Sequence, residues 1–344
     1  MKAARFHEHG EPDVLRYEDA PEPKIGPAEV LVRVRACALN HLDMQVRRGQ
    51  FGKSPHLPHI LGADIAGVVE QVGSLVTHVK PGDEVIMAPG VGCGACQQCF
   101  DGRDNLCPRY STIGAGARHG GYAQYVSVPG TNVLPKPARL SFEEAAALPL
   151  VLLTAWHQVM TKGQCRRGET VLVIAAGSGV GSMALQVAKL AGARVIAAAG
   201  SDAKLQRTKA LGADETINYT THNLKDETLS LTEGRGVDLV LDSVGGTLMV
   251  QGMQSLVLGG RLVNCGVTSR EELRIDWWRE QTKGHSLIGM RMGGKGELVE
   301  GLKFVATGQL KPVVYKVLPL SEAATAHQMM EGRDVCGKLV LKAP

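Results

Sequence analysis

The sequence predicts an α/β protein of two domains, one of them a layered parallel sheet, and three observations predict it. Thr170 to Ala193 reads as a hydrophobic strand, a glycine-rich turn and an amphipathic helix in immediate succession. From there to about Met292, strand-like and helix-like segments alternate. Before it, from Met1 to about Gly130, short strands are punctuated by glycine and proline, and 344 residues are more than one core of ordinary size needs.

In the first part of the chain, Val30 to Ala36 alternates Val30, Val32 and Val34 against Leu31, Arg33 and Arg35, the pattern of a strand with one wet face. Gly67 to Gly73 reads as a second strand closed by a turn, and Pro81-Gly82-Asp83 as a turn feeding a third. Many short strands joined this way suggest a small barrel. Next come Cys93, Cys96, Cys99 and Cys107, at C-x2-C-x2-C-x7-C spacing in a loop-like lobe of about residues 90–110. Four thiolates satisfy the tetrahedral preference of Zn²⁺ and leave no open position, so one structural Zn²⁺ per chain is expected. The other four of the eight cysteines are scattered, which fits a reducing compartment. Gly120 to Val126 reads as a return to strand, and Ser141 followed by Glu143 and Glu144 as the N-cap and acidic first turn of a helix.

The glycine turn after Thr170 to Ile174 places a helix N-terminus at the carboxyl edge of a parallel strand, where a phosphate sits well. Gly177, Ser178, Gly179, Val180 and Gly181 form that loop, and glycines there let a pyrophosphate approach the backbone. The spacing departs from G-x-G-x-x-G, since Ala176 and Ser178 hold the first two positions of the frame that ends at Gly181. A second strand, Arg194 to Ala199, ends in Gly200-Ser201-Asp202-Ala203-Lys204. An NAD site usually carries a carboxylate at this tip. Here Ser201, Lys204, Arg207 and Tyr219 favour NADP(H), while Asp202 leaves NAD(H) open. Asp238 to Leu241, Arg261 to Cys265 and Leu287 to Met292 read as further parallel strands, Leu298 to Thr307 as a helix, and Gly337 to Leu341 as a closing strand.

Lys plus Arg number 38 against 34 Asp plus Glu, a balance too mild to argue for nucleic acid or a membrane surface. MKAARFHEHGEPDVL at the N-terminus has no apolar h-region, and no segment is apolar for long enough to span a bilayer. A cytoplasmic protein acting on a small molecule is expected.

Several of these motifs occur together in one family. GADIAGVVEQVG from Gly62 to Gly73, PGDEV from Pro81 to Val85, the four-cysteine lobe, AAGSGVG, KALGADETINY from Lys209 to Tyr219 and the terminal GKLVL resemble the medium-chain dehydrogenases/reductases. The resemblance implies a GroES-like β-barrel catalytic domain from residues 1–149 and 293–344. It also implies an inserted Rossmann-type, doubly wound parallel sheet at 150–292 and a cofactor cleft between the two. It further implies a homodimer or homotetramer formed through the edge of the Rossmann sheet near Leu287 to Met292. Thr154 then contacts the nicotinamide end, Gly266 and Val267 lie near its carboxamide, and Lys338 reaches the cofactor phosphates.

The zinc alcohol dehydrogenases of this family hold a second, catalytic zinc. The matching positions here are Asn40, Ala63-Asp64 and about Leu150, and alanine and leucine cannot ligate a metal. This resembles the zinc-independent branch, which adds hydride from NADPH to a quinone or a conjugated C=C. Asn40 and Asp64 are the candidate catalytic residues, although Asn40 is equally placed to cap the following helix. Phe51 stands where several enoyl reductases carry a tyrosine, so the proton source is open, with solvent a candidate. Two alternatives stand beside this reading. One is an alcohol dehydrogenase with an irregular metal site drawn from His41, Asp43, His59 and Asp64; the other is a non-catalytic NADPH-binding protein. The acceptor depends on the loops Gly49 to Pro58 and Thr268 to Gln281, whose shapes the sequence does not dictate.

Overall fold

The computed structural model describes residues 1–52, 55–269 and 271–344; Lys53, Ser54 and Arg270, within the two loops named above, lie outside it. The chain divides into two compact units. One comprises Met1–Leu150, Gly294–Ala306 and Pro312–Pro344, the other Val151–Gly293 and Thr307–Lys311.

The first unit is built on a seven-stranded sheet. Its strands run in the order Val133–Pro135, Glu84–Met87, Asp64–Val72, Glu29–Ala38, Lys338–Lys342 and Val314–Pro319, with Tyr125–Pro129 also paired to Glu29–Ala38. A three-stranded sheet of Arg16–Asp19, Lys2–Phe6 and His59–Ile60 accompanies it. The expected alternation holds along Glu29–Ala38: Val30, Val32 and Val34 are buried and Arg33 is exposed. Ser141 caps the helix Phe142–Ala146 as the sequence suggests. Its Oγ accepts from Glu144 N at 3.1 Å, and the Glu144 carboxylate accepts from Ser141 N at 2.9 Å. That helix lays Ala145 and Ala146, with Ala147 after them, on Ala36, Ala38 and Ala66. Side chains this small let the helix sit close to the sheet, which brings the following residues to the end of Asp64–Val72.

One expected strand is shorter than the sequence suggests. Tyr125–Pro129 begins five residues after Gly120, and the preceding stretch makes only an isolated bridge, Ala123 to Ala3. Gly120 and Gly121 instead donate to Ile60 O and Gly62 O at 2.8 and 2.9 Å. A Cβ on Gly120 would lie 2.4 Å from Leu61 O and Gly62 O, so close backbone crossing, not strand pairing, uses these glycines.

The registry of three strands fixes the ends of the sheet. Ala38 pairs with Asp64 on one side and with Val340 on the other, both antiparallel. Counting outward from Ala38 and Val340 sets Asn40 opposite Lys338, and Leu39 N donates to Leu339 O at 2.9 Å.

The second unit is a six-stranded sheet in the order Glu215–Asn218, Arg194–Ala199, Thr170–Ile174, Val237–Asp242, Leu256–Asn264 and Ser286–Gly289. Every neighbouring pair is parallel. This is the doubly wound order in which two mononucleotide-binding halves meet at Thr170–Ile174 and Val237–Asp242. The edge strand ends at Gly289, short of the expected Met292, and Met290 N makes the last bond to the neighbouring strand, to Asn264 O at 3.2 Å. No helix among the described residues is long and apolar enough to cross a membrane.

At the turn after Thr170–Ile174, Ala175 takes a φ of 55°, a left-handed conformation that costs a residue with a Cβ about 1–2 kcal/mol. A Cβ on Gly181 would lie 2.2 Å from Ala175 O. Gly181 is therefore a glycine so that helix Gly179–Leu190 can press against the strand end, a role distinct from the phosphate contact expected of it. Gly181→Ala should destabilise the second unit by about 1–3 kcal/mol, read as a lowered urea midpoint. A midpoint equal to that of the wild type would show that the helix and strand can part without cost.

Candidate functional site

Asn40 opens helix His41–Arg47. Asn40 is its N-cap and Asp43 the N3 residue of a capping box; Asp43 Oδ2 accepts from Asn40 N at 2.7 Å, while its Oδ1 accepts from Gly62 N at 3.0 Å. The Asn40 amide has further partners. Its Nδ2 donates to Asp64 Oδ2 at 2.9 Å, and its Oδ1 accepts from Lys338 Nζ at 2.6 Å. Lys338 Nζ also bonds Asp64 Oδ2 at 2.8 Å, and Asp64 Oδ1 accepts from Leu150 N at 2.7 Å. Asp64 is wholly buried, and Asn40 and Lys338 are 6 % and 3 % exposed.

These contacts change the expected role of Lys338. Its Nζ is committed to Asn40 and Asp64 and lies inside the first unit, so it is not a surface lysine extended toward cofactor phosphates. Leu150, expected at a vanished ligand position, contributes a backbone N–H instead of a side chain. Asn40 and Asp64, far apart in sequence, do come together. Burial pushes the Asp43 carboxyl up to about 6, against its bonds from Asn40 N and Gly62 N and the nearby Lys338 ammonium.

The donors do not fit a catalytic zinc. Asp64 is paired with an ammonium, and Asn40 offers at best a weak carbonyl oxygen that already accepts from the same ammonium. His41 is exposed, Asp43 is turned to backbone N–H groups, and His59 is buried with Nε2 at 3.2 Å from Gly114 O. Among the described residues, the only group of three or more potential metal ligands within reach of one another is Cys93, Cys96, Cys99 and Cys107. Phe51 is exposed, and its ring has no proton to give.

The cysteine lobe does fit a zinc. Its four Sγ atoms lie within 4.8 Å of one another, with Cys96 and Cys99 at 3.6 Å. Tetrahedral Zn–S bonds of about 2.3 Å set S···S distances near about 3.8 Å. Cys93 N and Arg109 N each donate to Cys107 Sγ at 3.3 Å, the partners a thiolate needs. A Cβ on Gly92 would meet Cys99 Sγ at 2.9 Å, so the chain passes close under that sulfur. Four sulfurs leave no place for substrate, and Lys295 N ties the lobe to its own unit through Asp104 Oδ1 at 2.9 Å.

In the second unit, residues expected to bind the nucleotide follow the carboxyl ends of Thr170–Ile174, Arg194–Ala199 and Leu256–Asn264. Ser178 caps helix Gly179–Leu190 through Gly181 N, which leaves the first-turn N–H groups of Gly179 and Val180 for an anion. A Cβ on Gly177 would lie 3.0 Å from Lys204 Cβ, so the Lys204 stem runs alongside the loop. Gly200 likewise lies under the Tyr219 ring, where a Cβ would be 3.2 Å from its edge. Ser201 opens the helix Asp202–Ala210, and the Asp202 carboxylate accepts from Asn218 Nδ2 at 2.8 Å. Gly266 O accepts from Asn264 Nδ2 at 2.9 Å, and Val267 is exposed beside it. Thr154 is buried, and its Oγ1 has no partner among the described residues, an orphan that a cofactor group would satisfy.

With this geometry in view, comparison with known proteins decides the family. An alcohol dehydrogenase GroES-like domain matches residues 26–138, and a zinc-binding dehydrogenase domain matches residues 179–307. An NAD-dependent alcohol dehydrogenase of Sulfolobus acidocaldarius is 34% identical over 99% of both chains. The chain belongs to the medium-chain dehydrogenases/reductases. A quinone oxidoreductase of Mus musculus is 30% identical over 99% of this chain and 97% of its own. A crystal structure of an NAD-dependent alcohol dehydrogenase matches with a TM-score of 0.96 at 48% identity over 100% of both chains. The fold is the GroES-like and Rossmann-type pair expected of a medium-chain dehydrogenase/reductase, and the protein is an NAD(P)(H)-dependent oxidoreductase.

The buried histidines make stability depend on pH. Burial holds His59 down to about 4 and His327 down to about 3, from an ordinary 6.5. Each folded value lies below the unfolded one, so the stability they contribute is present above about pH 6.5 and lost as the pH falls through 4. Asp43 acts in the opposite sense, its contribution falling as the pH rises from 3.8 to about 6. Urea midpoints of His59→Gln should therefore fall less steeply than those of the wild type between pH 6.5 and 4. Parallel curves would contradict a buried neutral His59.

Proposed function

We propose that the protein is an NADPH-dependent reductase that transfers hydride to a quinone or to a C=C conjugated with a carbonyl, without a catalytic zinc. The observation that carries this reading is the Lys338 ammonium, bonded to Asp64 and Asn40 at 2.8 and 2.6 Å where ligands for a catalytic metal would have to converge. A metal ion is one way to polarise the oxygen of a saturated alcohol, and these side chains offer it no ligand set. A conjugated acceptor delocalises the incoming charge onto its own carbonyl, and hydrogen-bond donors suffice to hold it. Bound NADPH supplies the hydride.

Preference for NADPH rests on the strand tip. Ser201, Lys204 and Tyr219 surround the place where an NAD site carries a carboxylate, and Asp202 is occupied by Asn218. The edge strand Ser286–Gly289, with Leu287 exposed, supports pairing with a second copy.

A second reading, an alcohol dehydrogenase, is favoured by the names of its relatives, which lean toward alcohol more than toward quinone substrates. One set of assays separates the two. Purified enzyme should oxidise NADPH with enones, quinones or enoyl thioesters and leave simple alcohols untouched with NADP⁺; the reverse pattern would establish the alcohol reading. Lys204→Ala should weaken NADPH binding about tenfold or more and NADH binding little, since it removes one charge-assisted bond to the 2′-phosphate. Equal losses for both cofactors would refute the NADPH assignment.

A further inference from the structure

We propose that Lys338 and Asn40 form a two-donor oxyanion site, in which the ammonium takes the place of a metal and receives the carbonyl oxygen of the acceptor. The inference rests on the conjugated-acceptor reading above and deepens it by assigning the atoms that hold the developing charge.

A lysine ammonium has three N–H groups, and an asparagine amide has two. Lys338 Nζ uses one on Asn40 Oδ1 and one on Asp64 Oδ2; Asn40 Nδ2 uses one on the same Asp64 Oδ2. Among the described residues, each nitrogen keeps one N–H unspent. Because both bond a single carboxylate oxygen, the two nitrogens are neighbours. Both side chains are more than nine-tenths buried, where an unsatisfied donor costs about 1–3 kcal/mol and calls for an acceptor.

The amide cannot turn around. A flipped Asn40 would set its NH₂ against the ammonium and its oxygen against the Asp64 carboxylate, two like pairs at hydrogen-bond distance. Lys338 thus fixes which end of the Asn40 amide is the donor. Asp64 is held in turn by Leu150 N, so the constellation is anchored by backbone at the end of the sheet.

The chemistry balances with the nicotinamide hydride donor already named. The β-carbon of the acceptor gains the hydride and its electron pair, the C=C π pair moves to form Cα=C, and the carbonyl π pair moves to oxygen. The resulting enolate oxygen accepts from Lys338 Nζ and Asn40 Nδ2. A proton from solvent then adds to Cα and the C=O bond re-forms, so hydride plus proton saturate the double bond.

The test compares the wild type with the double variant Lys338→Met, Asp64→Asn, which removes both charges together and leaves neither buried unpaired. Two quantities are read on NADP⁺- or NADPH-loaded enzyme: kcat and KM for an enone, and binding of p-nitrophenolate, an anionic oxygen probe followed by its absorbance. The proposal expects kcat to fall about 100-fold with phenolate binding weakened in parallel and NADPH affinity kept within about threefold. Should the double variant not fold, Asn40→Ala, which leaves the ion pair in place, should lower kcat about tenfold or more by the same readouts.

A folded variant that keeps kcat and phenolate binding within about threefold of the wild type overturns the proposal. So does a variant whose principal loss is NADPH affinity, since Lys338 would then serve the cofactor. A wild-type enzyme that reduces no enone, quinone or enoyl thioester overturns the underlying reading and the proposal with it, an outcome separate from the other two.

Discussion

An ion pair with almost no access to water, Lys338 to Asp64 at 2.8 Å, governs the first unit. Two charges withdrawn from water repay their desolvation only when their remaining hydrogen-bonding capacity is used. Here the Asp64 carboxylate takes three donors, from Lys338, Asn40 and Leu150, while the ammonium has two acceptors among the described residues and one N–H to spare. Removing either partner alone would leave an uncompensated buried charge, at a cost of about 3–5 kcal/mol. The pair exists because strand Lys338–Lys342 from the end of the chain lies antiparallel to Glu29–Ala38, which lies antiparallel to Asp64–Val72. Chain topology therefore builds the polar cluster.

The two cation sites of this architecture are consequently unlike. The cysteine lobe is a closed set of four sulfurs whose neighbours donate to sulfur, suited to hold a metal and exclude everything else. The cluster around Asp64 is charge-balanced by a side chain, and a side-chain ammonium, unlike a metal ion, neither exchanges nor accepts an electron pair from a ligand. It can only donate hydrogen bonds.

Much of this was legible in the residues. Cysteine spacing is local, so C-x2-C-x2-C-x7-C announced its tetrahedral set directly. The glycine turn and the β-α alternation likewise depend on neighbours in sequence, and the parallel order followed. That Ala63 and Leu150 carry no metal-ligating side chain was equally plain. What could not be read was the bond between Asn40 and Lys338, 298 residues apart, because strand registry decides it. Asn40 is the N-cap of His41–Arg47, as its position suggested, with Asp43 closing the capping box. Gly120 and Gly181 share a reason that the residues alone do not show: another backbone passes within reach of the missing Cβ of each.

The central claim is that one metal site, not two, exists per chain. Zinc measured by elemental analysis on purified protein, washed with a weak chelator to remove loosely held ions, tests it most directly. The account predicts about one zinc per chain, held by Cys93, Cys96, Cys99 and Cys107. About two per chain, with the second lost in an Asp64→Asn variant, would mean that a metal displaces Lys338 and would contradict it.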